Sequence, residues 1–269
     1  MRLSVRSRSR ALAAAGLPLV VAGAVLCGQW GSAPGRADPG PALPLLGKTV
    51  VLDPGHNPGN PSHLVETHRL VDIGNGRRAC NTAGTATAAG YTEADYNLDV
   101  ARRARVILRA EGATVVLTQD GDRPWGPCVT ERAAIANRAH ADAAVAIHAD
   151  GAPAPDYGFH VIVPAVVVAG AADTRAIVGP SRQLGLALRA AFGSVTGEAH
   201  ATYLGHGTGL VVRSDLGGLN LSRVPAVFIE CGNMLNPTEA RQMTTGAWRE
   251  LAATGIAAGV TSYLLHPDG

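Results

Sequence analysis

Aromatic side chains are scarce, at 4% of the chain, so there are few faces on which unpaired bases could stack, and a single-strand nucleic-acid platform is disfavoured. Charge is also thin, at 16% Asp, Glu, Lys and Arg against 46% hydrophobic residues. A chain of 269 residues with that balance can bury one sizeable core and lacks the composition of long-range disorder. No segment repeats, which excludes a solenoid or a tandem array and leaves no second binding module. Beyond the first 37 residues no apolar run is long enough to span a bilayer. Cysteine is rare, with four in all.

The first residues belong to a separate element. Arg2, Arg6, Arg8 and Arg10 form a basic stretch, residues 11–26 are apolar, and Gly31-Ser32-Ala33 and Gly35-Arg36-Ala37 offer small-residue cleavage sites. This is the pattern of a secretory signal peptide over 1–37. No twin-arginine pair precedes the apolar run, which points to general secretion. Leu26 before Cys27 is too bulky for a lipoprotein site. A Pro/Gly linker follows over 38–46, then one folded domain over 47–266. The expected location is outside the cytoplasm, in periplasm, cell wall or medium. Removing the leader takes five Arg and no acid, leaving 18 basic against 21 acidic residues, a net charge of about −3. A nucleic-acid partner thereby loses its electrostatic support.

Export allows a disulfide. Cys80 and Cys128 lie in loop-like sequence and are expected to pair, whereas Cys231 lies at the end of an apolar strand and reads as a small buried residue.

Strand patterns fall at 49–52, 114–117, 143–147, 159–163 and 224–229, and helix patterns at 93–111, 129–139, 181–192 and 245–265. The alternation predicts a single three-layer α/β domain with a central mixed, mostly parallel sheet flanked by helices. Residues 59–90 are polar, Gly-rich and without periodicity. A connection of that length is more often a functional rim than filler, and the Cys80–Cys128 bridge would tether it.

Ligands of open α/β sheets collect at the carboxyl ends of strands. His56 follows the first strand in "VVLDPGHNPG", His148 closes "AAVAIHAD", Glu230 closes "VPAVFIECGN", and Glu93 opens the first long helix. Each has a plain structural reading: a surface or core histidine, an acid in a first helical turn, a paired buried acid. Together at one edge of one sheet they favour a metal site, since two imidazoles and a carboxylate suit a catalytic zinc with its fourth position open to water. The remaining carboxylate, Glu230, can then exchange the proton.

The blocks "VVLDPGHNPG", "TEADYNLDVARRARVILRAEGATVVLTQDGD", "ERAAIANRAHADAAVAIHAD" and "VPAVFIECGNMLNPTEARQM" resemble, in order and across nearly the whole domain, the zinc-dependent N-acetylmuramoyl-L-alanine amidases of bacterial cell-wall turnover, in particular actinobacterial single-domain members. The resemblance implies hydrolysis of the amide between N-acetylmuramic acid and L-alanine in peptidoglycan or muropeptides. It implies one Zn2+ held by His56, Glu93 and His148, with Glu230 as catalytic general base and acid. It also implies a monomer with no stable membrane span after cleavage. Arg132 and Asn137 match family positions and read as braces for loops. Asp53 either orients His56 or shapes its own Asp-Pro-Gly turn, the turn being preferred.

This chain departs from the family pattern at three places. Asn57-Pro58-Gly59 stands where Gly-Gly is usual, Cys231-Gly232-Asn233 stands where Gly-Phe is usual, and the interval from His56 to Glu93 is a long 37 positions. That interval contains His63, Glu66 and His68, so an alternative acidic ligand stays open. His200 and His206, beside a Gly-rich loop, are open to a groove-lining role. Rival readings are another zinc amide hydrolase, a carboxypeptidase or deacetylase, and an inactive wall-binding regulator.

Overall fold

The structure is a computed structural model that describes residues 43–267, so the expected leader over 1–37 and linker residues 38–42 lie outside the described residues. In chain order the elements are strand β1 (Thr49–Pro54), helix α1 (Leu64–His68), β2 (Leu70–Asp72), β3 (Arg77–Ala79), α2 (Glu93–Ala110), β4 (Thr114–Leu117), α3 (Val129–Arg138), β5 (Ala143–Asp150) and β6 (His160–Pro164). There follow β7 (Val168–Ala169), β8 (Ala172–Asp173), α4 (Val178–Thr196), β9 (Leu210–Arg213), α5 (Gly217–Asn220), β10 (Ala226–Asn233), α6 (Pro237–Met243) and α7 (Gly246–Leu265).

Six strands make the central sheet in the order β4-β1-β5-β10-β6-β9. All its neighbours pair parallel except β10 with β6, which is the mixed, mostly parallel sheet the alternation predicts. Burial follows from strand geometry. Val50 and Leu52 point to one face and join Tyr96, Val100 and Ala104, while Val51 points to the other and joins Ala136, Ala144 and Leu219. A strand covered on both faces reads as a continuous apolar run.

Helices α2, α4 and α7 cover the first face. Thr92 caps α2 by accepting from the Asp95 amide, and Ala94, Leu98, Ala101, Ala104 and Leu108 recur at three- and four-residue intervals toward the sheet. Helix α7 lies between α2 and α4. At Gly259 an added Cβ would stand 2.6 Å from the Leu188 Cα, so the two backbones can meet this closely only over glycine. Helices α3 and α5 cover the second, smaller face.

Residues 59–90 carry more structure than their composition suggests: a 3-10 turn over Asn60–Ser62, α1 and the β2–β3 hairpin. Each element has only three to five residues, too few to display a period. Strand β9, the outer sixth strand, is also absent from the sequence reading. A disulfide joins Cys80 to Cys128 and ties the end of this segment to the start of α3, while Cys231 is free and buried. No helix among the described residues is long and apolar enough to cross a membrane.

Candidate active site and metal centre

The site is assembled at the carboxyl edge of the sheet. Beyond β1 the chain turns at Gly55, where a Cβ would lie 2.2 Å from the His148 ring. Glycine here lets the β5 imidazole lie against the end of β1. His56 then adopts a left-handed backbone, φ 62°, which costs a non-glycine residue on the order of 1 kcal/mol and persists only where its surroundings enforce it.

The enforcement comes from Arg132 on α3. This buried guanidinium donates to the carbonyls of His56 (2.6 Å), Pro54 (2.7 Å) and Pro127 (3.0 Å). It also pairs with the Asp53 carboxylate, which accepts from the Thr118 hydroxyl as well. Asp53 therefore shapes the turn and does not touch the imidazole it precedes. Asn137 likewise braces a loop, donating to the Leu221 carbonyl at 2.9 Å and accepting from the Arg223 amide at 2.7 Å just before β10.

Arg132→Leu is expected to destabilise the fold by about 3–5 kcal/mol, because it strands the half-buried Asp53 charge and takes the donors from the His56, Pro54 and Pro127 carbonyls. In a domain of this size that is a fall in Tm of roughly 10 °C by calorimetry. Adding Asp53→Asn to that variant removes the stranded charge and should recover part of the loss.

His56, Glu93 and His148, separated in sequence, converge. His56 Nε2 lies 3.1 Å from Glu93 Oε2, and His148 Nδ1 lies 2.9 Å from Glu93 Oε1. One potential ligand atom from each residue falls within 4.8 Å of the others. His56 Nδ1 is 3.0 Å from the Thr82 carbonyl oxygen, which only accepts. The ring proton therefore sits on Nδ1 and the Nε2 lone pair faces Glu93. A lone pair and a carboxylate oxygen this close repel unless a second proton or a cation stands between them. Zinc–donor distances of about 2.0–2.2 Å place neighbouring donors of a tetrahedral site roughly 3–3.5 Å apart, so this donor set fits zinc in chemistry, and its two histidine–Glu93 separations fit in spacing.

Glu93 is held in place by the Thr85 amide at 3.0 Å, the Ala149 amide at 3.3 Å and Asn97 Nδ2 at 3.4 Å. Burial alone would raise its carboxyl, but the hydrogen bond with the His148 imidazole works against burial, and the group is held below the usual carboxylate value. Asn97, four residues along the same helical face, was within reach of a sequence reading. Thr82 and Thr85 were not, since they act through backbone atoms.

Glu230 stands across from His148 on β5 and from His160 on β6, so the three share one face of the sheet. Strands β5 and β10 run on to Asp150 and Asn233, which places His148 and Glu230 inside strands and not at their ends as expected. Glu230 Oε2 is buried without a hydrogen-bond partner. Burial raises this carboxyl well above its ordinary value, Glu93 and Asp150 push the same way, and Arg213 opposes them. His160, read from sequence as a strand residue without a partner, is buried; burial lowers its imidazole to about 4 and keeps it neutral.

All four candidate residues open onto one cavity of about 430 Å³ floored by Phe228 and Ile162. Glu66 of the long insertion lies outside the cluster and faces His63 at 3.6 Å, so the alternative acidic ligand is not assembled. His200 and His206 are not among the residues lining the cavity.

An α/β sheet of this order, with an acid-and-imidazole cluster at its carboxyl edge, is the architecture of an amide hydrolase. The chain belongs to the N-acetylmuramoyl-L-alanine amidase family, type 3, whose profile matches residues 50–262. It is 37% identical over 222 residues to the N-acetylmuramoyl-L-alanine amidase Rv3717 of Mycobacterium tuberculosis, covering 82% of this chain and 88% of that protein. The crystal structure of the amidase Ami1 from Mycobacterium smegmatis is similar at 39% identity with a TM-score of 0.74, covering 82% of this chain and 98% of that one. The apo form of Ami1 from Mycobacterium abscessus matches at 38% identity and a TM-score of 0.75, over 81% of this chain and 99% of that one.

Proposed function

We propose that the chain cleaves the amide joining N-acetylmuramic acid to L-alanine in peptidoglycan with one zinc ion held by His56, Glu93 and His148, and with Glu230 as the proton-transferring group. The observation that carries this reading is the pairing of both oxygens of the buried Glu93 with two imidazole nitrogens, beside an unpartnered Glu230 oxygen. When bound, zinc supplies Lewis acidity toward the scissile carbonyl and lowers the pKa of water toward 7.

The protein's own groups account for the rest. Arg132 aims His56 through its backbone, and Thr82 holds its tautomer. Glu230 stands on a stiff central strand in surroundings that raise its carboxyl. It takes the proton of the attacking water and returns it to the leaving amine nitrogen of L-alanine. Residues 1–37 act as a cleaved export signal, 38–46 as a linker and 47–266 as the catalytic domain, working as a monomer outside the cytoplasm.

The test is product identity. Mature zinc-loaded protein incubated with N-acetylmuramoyl-L-alanyl peptide should release a peptide with a free L-alanine amino terminus, read by mass spectrometry. Release of acetate or of a terminal D-alanine would show a deacetylase or carboxypeptidase instead, and zinc binding without turnover would show an inactive wall-binding protein.

A further inference from the structure

The cavity wall facing Glu230 carries positive charge that the hydrolysis does not use. Arg213 closes β9 and makes a two-pronged pair with Asp215, Nε to Oδ1 at 2.9 Å and Nη2 to Oδ2 at 2.7 Å. Arg78, on β3 of the hairpin, reaches the same carboxylate at 3.5 Å. All three residues line the cavity that contains the His56–Glu93–His148 cluster. Two guanidiniums thus share one carboxylate, leaving one net positive charge and most of the Arg78 donors unengaged.

The wall is built and not accidental. The hairpin tip is fastened to the segment after Arg213: Asn75 Nδ2 donates to the Ser214 carbonyl at 2.7 Å. Buried Asn220 on α5 donates to Asn75 Oδ1 and to the same Ser214 carbonyl, both at 2.9 Å. These bonds hold the two arginine-bearing segments against each other from distant parts of the chain. The rest of the lining carries Asp53, Glu93, Asp150 and Glu230 against one further arginine, Arg132, whose charge is committed to Asp53. A substrate carboxylate therefore finds its uncommitted guanidinium donors on this wall.

We propose that Arg213 and Arg78, bridged by Asp215, form a carboxylate-recognition subsite that selects stem peptides bearing a free carboxylate on the residue after L-alanine. The proposal rests on the amidase reading and names the substrate class that this site prefers. The wall lines the same cavity of about 430 Å³ as the His56–Glu93–His148 cluster, which puts the residue after L-alanine within its reach. A planar guanidinium fork recognises carboxylate with two parallel hydrogen bonds, and a neutral amide in its place supplies one acceptor and a misdirected donor.

The experiment compares two substrates that differ in one group, N-acetylmuramoyl-L-alanyl-D-isoglutamyl-L-lysinamide and its isoglutaminyl form, in both of which the γ-carboxyl is spent in the bond to lysinamide and only the α-carboxyl is free or amidated. The wild-type protein is expected to favour the free carboxylate by about tenfold in kcat/KM. Arg213→Gln should bring that ratio close to one, and Arg78→Gln should reduce it partway, with cleavage of the amidated substrate retained in both. Because the readout is a ratio within one preparation, partial loss of folded protein does not disturb it. Equal rates in the wild type, or an unchanged ratio in Arg213→Gln, would overturn the subsite while leaving the amidase intact. Failure of the wild type to cleave either substrate would overturn the amidase reading and the subsite with it.

Discussion

Stripping the metal with a chelator is expected to reduce turnover of a muramoyl peptide to the buffer background, and one equivalent of zinc to restore it. The expectation follows from how the cluster is made. His56, Glu93 and His148 bring one potential ligand atom each to within 4.8 Å of the others, and a cation among them removes the repulsion between the His56 Nε2 lone pair and the Glu93 carboxylate. Without the ion, Glu230 faces water with a pKa of about 15.7, which a carboxylate cannot deprotonate at a useful rate. His148→Ala tests the same claim from the protein side. It removes one of three ligands, so metal content measured by plasma emission should fall together with activity. Full-rate turnover by protein shown to be metal-free would end the zinc proposal.

Glu230→Gln should lower kcat by about 10²–10⁴-fold, the range typical of a lost general acid–base group, with metal content unchanged. Glutamine keeps the shape of the side chain between His148 and His160 but cannot accept and return a proton. Glu230 is set apart from the ligands by its environment. Both Glu93 oxygens are engaged, while Glu230 Oε2 has no partner and its carboxyl is raised by burial and by nearby acids. The two carboxyls are therefore set apart, Glu93 below the usual carboxylate value and Glu230 raised above it by burial. KM should change little, since Glu230 is asked to act in the transition state. A variant retaining wild-type kcat would remove Glu230 from this role, and one that lost its metal would make it a positioning residue for the ion.

The legible parts of this protein were those whose signals are local. Val50-Val51-Leu52 announces a strand buried on two faces, and the spacing of Leu98, Ala101 and Leu108 announces a helix face. His56, His148 and Glu230 stood out because each follows an apolar run where a polar residue needs a reason. Glu93 was harder, since an acid in a first helical turn is ordinary. Its meaning depends on the distance to His56 and His148, which 37 intervening positions do not reveal.

Hidden from the sequence were groups that act through space or through the backbone. Arg132 gave no local sign that it would bind the carbonyls of His56 and Pro54 some 76 and 78 residues away. Arg213 sits on an outer strand that the sequence did not announce, and Arg78 sits on a hairpin in a segment without periodicity. By itself the chain's order of residues determined the α/β class, the sheet-edge candidates and the strands buried on both faces, because apolar runs and strand-end chemistry are carried by neighbours. Tertiary structure alone decided which side chains meet, since convergence depends on strand order and register, and those are set by packing between segments far apart along the chain.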